Sequence, residues 1–341
     1  MIRAAIVGLG PHGMRMFKAA ERVTEVDLVA VVDRDEAKLQ QEEVVASKAL
    51  GLTGLSELWS HNIQLLMIAT NGPSHATISL EGIENGITHL LVTKPFTCSL
   101  EDAIKVNEAA KKNNVKLSVD HLLRYDSTYA WVAQQAQNDA WGELKRMYIQ
   151  RPGIGLGCLG VHSFDIANFM VGSTPKTITG WVDEPVRKNP RGEQFVDPGG
   201  TVVMQYENGV RVVVDQIEEG SGPQSIEMHF KYARVKLDEK LGILEVVSKD
   251  RNFVPGPNKK PVLDKQINPH QATEVKIDTV KLLENMLLEL VEGNTILADG
   301  DAGQKAVEIL VAAYISNSNN NTPVELPLKE EGHIKLNLPV T

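Results

Sequence analysis

The sequence predicts an α/β protein of two domains, a parallel-sheet domain over residues 1–122 and an α+β domain with a large, mostly antiparallel open sheet over residues 123–341. Three observations lead there. Ile2 to Asp33 has the order strand, glycine turn, helix, strand, acid. Strand-sized apolar runs then alternate with helix-sized segments as far as Val119, the pattern of helical crossovers on a parallel sheet. From Lys176 to Val247 strand-like runs dominate, the pattern of hairpins and meanders.

In order, Ile2 to Val7 is sized for a buried parallel strand. Gly8-Leu9-Gly10-Pro11-His12-Gly13 follows as G-x-G-x-x-G, with a helix from His12 to Arg22 and a strand from Val26 to Val32. Gly8 suits a tight turn, Gly10 lets a pyrophosphate approach the backbone, and Gly13 lets helix and strand pack closely. A helix N-terminus offers unpaired N–H groups and partial positive charge to a diphosphate. Asp33 stands where a carboxylate accepts hydrogen bonds from a ribose 2′-hydroxyl and repels a 2′-phosphate. These residues predict a Rossmann-type dinucleotide site for NAD rather than NADP. Arg34 keeps a second option open, stacking on adenine or meeting that phosphate.

The alternation continues with a helix over Glu36–Leu50, a strand over Ile63–Ala69, a helix over Ser74–Glu84 with Ser74 as N-cap, and a strand over Ile87–Val92. Ser99-Leu100-Glu101-Asp102 resembles a capping box opening a helix to Lys112, and Val115–Val119 is the last strand of the set. Ligands on such sheets lie beyond the carboxyl ends of the strands, so Gly10, Asp33, Thr70, Asn71 and Lys94 fall along one rim. Past residue 122 come a helix over Tyr125–Asn138, a strand over Leu144–Gln150, a glycine-rich approach from Arg151 to Gly157, and a helix over Cys158–Met170. Tyr206-Glu207-Asn208-Gly209-Val210 signals a hairpin of type I′. Arg187–Gly200 is a polar loop long enough for a lid or rim. Asn252–Pro269 is expected as a surface loop, and Glu274–Glu292 and Asp301–Ser316 as two final helices.

A net charge of −9 argues against nucleic acid and anionic membrane surfaces as partners. No apolar run approaches the roughly 20 residues that span a bilayer, and the N-terminus enters a strand with no leader pattern. Two cysteines, Cys98 and Cys158, form no disulfide framework and no metal-ligand spacing. A cytoplasmic protein without a metal is therefore expected. An open antiparallel sheet leaves a broad face to be covered, by helices or by a second copy in a homodimer or homotetramer.

A nicotinamide enzyme must hold a substrate carbon near the ring and move a hydroxyl proton. Lys94 follows a strand and precedes Pro95, which restricts where its side chain starts. His162 lies at helical spacing from Cys158 and Asp165. It suits general acid–base work, or alternatively a satisfied place in a core. His75 either lies near the nicotinamide or is an ordinary first-turn polar residue. Arg124, Arg151, Arg187, Lys188 and Arg191 are read as solvated charges unless they face the cleft, where an anionic substrate would suit them.

Five stretches together resemble the Gfo/Idh/MocA oxidoreductase family: Gly8–Gly13, Ala69-Thr70-Asn71-Gly72-Pro73-Ser74-His75, Thr93-Lys94-Pro95, Gly160-Val161-His162-Ser163-Phe164-Asp165, and Asp299-Gly300 with Leu326-Pro327-Leu328. The resemblance spans nearly the whole chain. It implies NAD-dependent chemistry on a secondary hydroxyl of a sugar or cyclitol, with Lys94 and His162 flanking that hydroxyl; His121, Arg124 and Cys158 are this chain's own further candidates for substrate contact. The sequence departs from the family at Thr93, where Glu is usual, at Asn71, where Pro is common, and at Cys158, where an Asp often stands. Loss of that acid suggests a different scheme, with His121 as one substitute and Cys158 as packing filler, or a non-catalytic dinucleotide sensor.

Overall fold

The computed structural model describes residues 1–139, 141–153, 155–220, 222, 224–238, 243–254, 256–257, 259–267 and 277–341. The chain forms two compact units. One comprises Met1–Tyr125, Asp278–Val307 and Lys335–Thr341, the other Asp126–Ile277 and Glu308–Ile334. The expected division at 122 is a single cut, whereas the first unit takes back two later segments.

The first unit is built on strands β1 (Ile2–Val7), β2 (Val26–Val32), β3 (Leu50–Leu52), β4 (Leu65–Ile68), β5 (His89–Val92) and β6 (Lys116–Val119). They form one sheet in the order β3-β2-β1-β4-β5-β6, and every pair is parallel. The order reverses between β1 and β4, which opens a crevice at their carboxyl ends. Strands β4 and β1 are buried nearly throughout, as expected of a sheet with helices on both faces. Helix Pro11–Ala20 buries Met16, Phe17, Ala19 and Ala20. Helix Thr279–Glu292 buries Leu282, Leu283, Met286, Leu287 and Leu290 against it, at helical spacing. Each such side chain stabilises the unit by roughly 1.5–3 kcal/mol, which ties this late segment to the first unit.

Two expectations change here. Glu36–Leu50 is not one helix: it holds helices Glu36–Leu39 and Glu42–Ala46, with Gln41 extended between them, and Leu50 opens β3. Asp35 caps the first of these through Ala37 N, and Ser47 accepts from Ala49 N beyond the second. The next long helix begins at Gly72, not after Ser74, and Asn71 is its N-cap. Pro73 fits this start, because a first-turn residue needs no N–H donor. Ser99 caps helix Leu100–Lys112 through Asp102 N at 3.1 Å, as read.

The second unit holds β7 (Leu144–Pro152), β8 (Pro175–Val182), β9 (Gly200–Tyr206), β10 (Arg211–Ile217), β11 (Ser225–Phe230), β12 (Ala233–Asp238), β13 (Ile243–Lys249), β14 (Leu263–Ile267) and β15 (Val324–Glu325). Their order is β14-β13-β12-β11-β7-β10-β9-β8-β15. All pairs are antiparallel except β7 with β10. One face buries Met147, Ile149, Val202, Met204, Val212 and Val214. Helix Val161–Val171 packs on β7 and β10. The later turns of helix Gly300–Ser318 approach β8 so closely that a Cβ on Gly180 would lie 2.4 Å from Ala313 O. The opposite face carries Tyr148, 46% exposed, and ion pairs Glu227–His229 at 2.9 Å and Arg234–Glu245 at 2.9 Å.

The hairpin at Tyr206–Val210 forms, but not as type I′. Gly209 has φ +83° and Asn208 an ordinary negative φ. Gly209 N donates to Tyr206 O and Tyr206 N to Val210 O, so three residues make the loop. Leu263–Ile267, expected within a surface loop, is edge strand β14 on β13. Residues 274–276 of the expected penultimate helix lie outside the described residues, and the helix itself runs Thr279–Glu292. Among the described residues no helix is long and apolar enough to cross a membrane.

Candidate active site

In the first unit the glycine turn has three different surroundings. A Cβ on Gly8 (φ +96°) would lie 2.7 Å from Ala69 O, and one on Gly13 1.9 Å from Gly8 O. Both glycines are therefore required by close backbone contact. Gly10 has no neighbour within 4 Å of an added Cβ, so the space over it is open. Gly10 is also the N-cap of helix Pro11–Ala20, with Pro11 in the first turn. The first turn of that helix has N–H groups without intrahelical partners beside that open space, which fits a diphosphate.

Asp33 stands at the end of β2. Its Oδ2 accepts from Leu9 N at 2.7 Å, its Oδ1 from Asp35 N at 3.0 Å, and Lys38 Nζ lies 3.3 Å from Oδ2. Burial pushes the Asp33 carboxyl up, but the Leu9 and Asp35 amides and the Lys38 ammonium outweigh it and hold it below the usual carboxylate range. The carboxylate is thus charged and aimed, as a ribose partner must be. Arg34 is exposed.

Thr70 and Asn71 follow β4. Ser74 Oγ lies 2.7 Å from Thr70 Oγ1 and 2.8 Å from Asn71 O, so the serine braces this corner. His75, expected at the cofactor, is 1% exposed. Its Nδ1 is 2.9 Å from Pro95 O, and its Nε2 is 3.2 Å from both Thr70 O and Thr93 Oγ1. Burial, first of all, depresses its basicity. A neutral ring donating to Pro95 O and accepting from Thr93 satisfies both nitrogens. His75 therefore clamps the residues on either side of Lys94 and is closed off from a ligand. Thr93, in the place of the family's usual Glu, is the clamp's other half. Lys94 itself is half-buried at the end of β5.

Asp120 and His121 leave the end of β6, each 1% exposed. Asp120 Oδ2 is 2.5 Å from His12 Nε2. Burial pushes the Asp120 carboxyl up, but His12, then Lys94 and His121, hold it below the usual range. Asp120 carries no role in the sequence reading; its one signal is an acid at the carboxyl end of a buried parallel strand. His121 is buried beside it rather than presented as a substitute acid. Arg124 Nη1 donates to Leu297 O at 2.6 Å, which ties it to a later segment of the same unit.

The second unit carries His162 and Cys158. After β7 the chain turns through Gly153 (φ +132°) and Gly155 (φ +73°) into a π-helical turn, Leu156–Gly160, and then helix Val161–Val171. The sequence predicts one helix from Cys158, and the structure divides that stretch in two. Asp197 explains the wider turn: its Oδ1 accepts from Gly157 N and its Oδ2 from Cys158 N, each at 2.7 Å. A Cβ on Gly155 would lie 2.2 Å from that carboxylate. The polar loop expected as lid or rim is thus fastened to the start of the His162 helix by a 5%-exposed acid. That loop also lines a cavity of about 420 Å³ with Arg187, Lys188, Glu193 and Glu218.

His162 is half-buried, and Asp165 is 1% exposed. Burial, and then Asp165, push the Tyr206 phenol up, which places Asp165 against the sheet. Cys158 is 7% exposed, and Arg191 Nη1 donates to its Sγ at 3.2 Å. Arg151, read as a solvated charge, is 5% exposed instead. Arg187 pairs with Glu218 at 3.4 Å, and Lys188 with Glu193. The first unit therefore gathers Gly8, Leu9, Gly10, Pro11, His12, Gly13, Asp33, Thr70, Asn71 and Lys94 at the ends of its strands, and the second gathers Cys158 and His162. Among the described residues no cluster of His, Cys, Asp and Glu could hold a metal ion.

Two family models match the chain in succession. Residues 2–121 match an oxidoreductase family with an NAD-binding Rossmann fold, and residues 121–232 match the GFO/IDH/MocA C-terminal domain. Inositol 2-dehydrogenase of Arthrobacter sp. (strain FB24) is 27% identical over 227 residues, 63% of this chain and 66% of that protein. scyllo-Inositol 2-dehydrogenase (NAD(+)) of Bacillus subtilis (strain 168) is 27% identical over 220 residues, 58% of this chain and 61% of that protein. The matched stretch thus spans under two thirds of these relatives' length. Levoglucosan dehydrogenase in complex with NADH has the same fold, with a TM-score of 0.81 at 15% identity, covering 96% of this chain and 100% of that one. The WlbA dehydrogenase from Bordetella pertussis, in complex with NADH and UDP-GlcNAcA, superposes with a TM-score of 0.76 at 18% identity, covering 96% and 99%.

Proposed function

The chain belongs to the Gfo/Idh/MocA family of NAD-dependent oxidoreductases, and from that premise we propose that it transfers a hydride between NAD and a secondary hydroxyl of a cyclitol, sugar or sugar derivative. NAD, when bound, supplies the hydride acceptor. The amides after Gly10 would hold its diphosphate, and Asp33 a ribose hydroxyl. His162 would take the hydroxyl proton, a task that suits an imidazole near neutral pH. Lys94 would hold the hydroxyl oxygen and stabilise the charge that develops on it. Reduction retraces the same path. His121, Arg124 and Cys158 are proposed as further substrate contacts. A homodimer or homotetramer is proposed for the assembly, with light scattering as its check.

The observation that carries this reading is the open space over Gly10 beside a charged, fixed Asp33. Its test is a substrate panel of myo-inositol, scyllo-inositol, levoglucosan and UDP-GlcNAcA, followed at the reduced-nicotinamide absorbance band. Turnover on any member supports the dehydrogenase. NAD binding without turnover supports the sensor, which Cys158 in place of an acid favours. On a turned-over substrate, Lys94→Ala should lower the rate by about 10²-fold or more; near-normal turnover would remove Lys94 from the chemistry.

A further inference from the structure

Asp120 is a buried carboxylate with no place in the scheme above. An ionised carboxylate withdrawn from water costs several kcal/mol unless cations or donors face it. Here three elements bring basic side chains toward it. His12 comes from the first turn of helix Pro11–Ala20 and touches Oδ2. Lys94 comes from the end of β5, and His121 is next along the chain. Asp120 N donates to Val92 O at 2.9 Å, so β5 and β6 end in register, with Asp120 beside Thr93 and Lys94 one residue further along its strand end. Among the described residues Oδ1 accepts no hydrogen bond.

We propose that Asp120 is the positioning residue for Lys94: a buried anion at the end of β6 that keeps the ammonium charged and fixed in place, with His12 closing the carboxylate's other side. The inference rests on the role proposed for Lys94. A positively charged nicotinamide nearby would otherwise favour the neutral amine, and Asp120 opposes that loss.

The test reads Lys94 directly and needs no substrate. The full-length protein is labelled with acetic anhydride at about pH 8, where only unprotonated amines react, and the Lys94 peptide is quantified by mass spectrometry. Asp120→Asn should speed Lys94 labelling by about tenfold, since an ammonium without its counter-ion releases its proton more readily. Asp120→Glu keeps the charge and should restore slow labelling. His12→Gln removes the 2.5 Å contact but leaves the anion, and should change the rate by less than about twofold. Unchanged labelling in a folded Asp120→Asn protein overturns the proposal. So does equal acceleration in His12→Gln, because loosening of the turn would then be the cause. Should Asp120→Asn fail to melt cooperatively, Asp120→Ser is read by the same criteria. Failure of the dehydrogenase reading shows in the substrate panel and leaves this rate untouched.

Discussion

After β1 and again after β7 the chain passes from a strand through glycines into a helical start, and the two turns treat charge in opposite ways. After β1 the turn Gly8–Gly13 ends at a helix N-terminus with open space over Gly10. Its partial positive charge is left for a ligand. After β7 the turn Gly153–Gly157 also ends at a helical start, but Asp197 already sits on the amides of Gly157 and Cys158. The first turn leaves its amides open to the diphosphate proposed for it, whereas a carboxylate of the chain already completes the second.

Asp197→Ala gives the largest expected effect. It leaves two buried N–H groups without the acceptor they have, at about 1–3 kcal/mol each, so urea unfolding should show a loss of about 2–6 kcal/mol. NAD affinity should not change, because Asp197 belongs to the second unit. Stability equal to wild type would mean that the second turn does not depend on its internal anion. Gly10→Ala is the mirror experiment. An added methyl meets no protein atom within 4 Å, and φ −66° at Gly10 suits alanine. The melting temperature should stay put, while the Kd for NAD by calorimetry rises about tenfold, or roughly 1.4 kcal/mol. Unaltered affinity would empty the first turn of its proposed ligand.

The same contrast explains what was legible in the residues. The first unit is written in local spacing: a glycine that must touch Ala69, a glycine that must touch Gly8, and an acid one strand later. The Gly13 contact and the Asp33 spacing need only neighbours in the chain, while the Gly8–Ala69 contact forms once β1 and β4 pair. The clamp on the second turn joins Gly157 to Asp197 across a long polar loop, and no periodicity ties an aspartate in a loop to amides that far back. Edge strand β14, Leu-Asp-Lys-Gln-Ile, is exposed at every residue, so it lacks the alternation by which strands are recognised. Asp278–Val307 joins the first unit through Leu282, Met286 and Leu290, an apolar stripe that says "helix" but not which sheet it serves. His75 stands in the sequence as a cofactor neighbour or a first-turn polar residue, whereas its burial comes from Thr93 and Pro95, which close over it only once β4 and β5 pair.

The smallest expected effect concerns acid, and it separates the units by their buried imidazoles. His75 is held neutral chiefly by burial, and His89, by partial burial and then Lys116, is held down to about 4. Both lie in the first unit. Below about pH 6.5 an unfolded chain protonates these histidines while the folded chain does not. The unfolded state then binds more protons, so stability rises with pH. The contribution is complete above about pH 6.5 and is lost progressively as pH falls toward the folded values. The melting temperature should therefore decline from about pH 6.5 to 4.5, before ordinary carboxylates titrate. Hydrogen exchange at about pH 5 should quicken in β4 and β5 before it quickens in β9 and β10. His89→Gln, at a half-exposed site, should flatten the decline by a part, and His75→Gln should flatten it further from a lower starting stability. A melting temperature that stays level across that window would mean that the His75 ring is already protonated in the folded protein, and that the clamp on Thr93 and Pro95 is not the neutral one described.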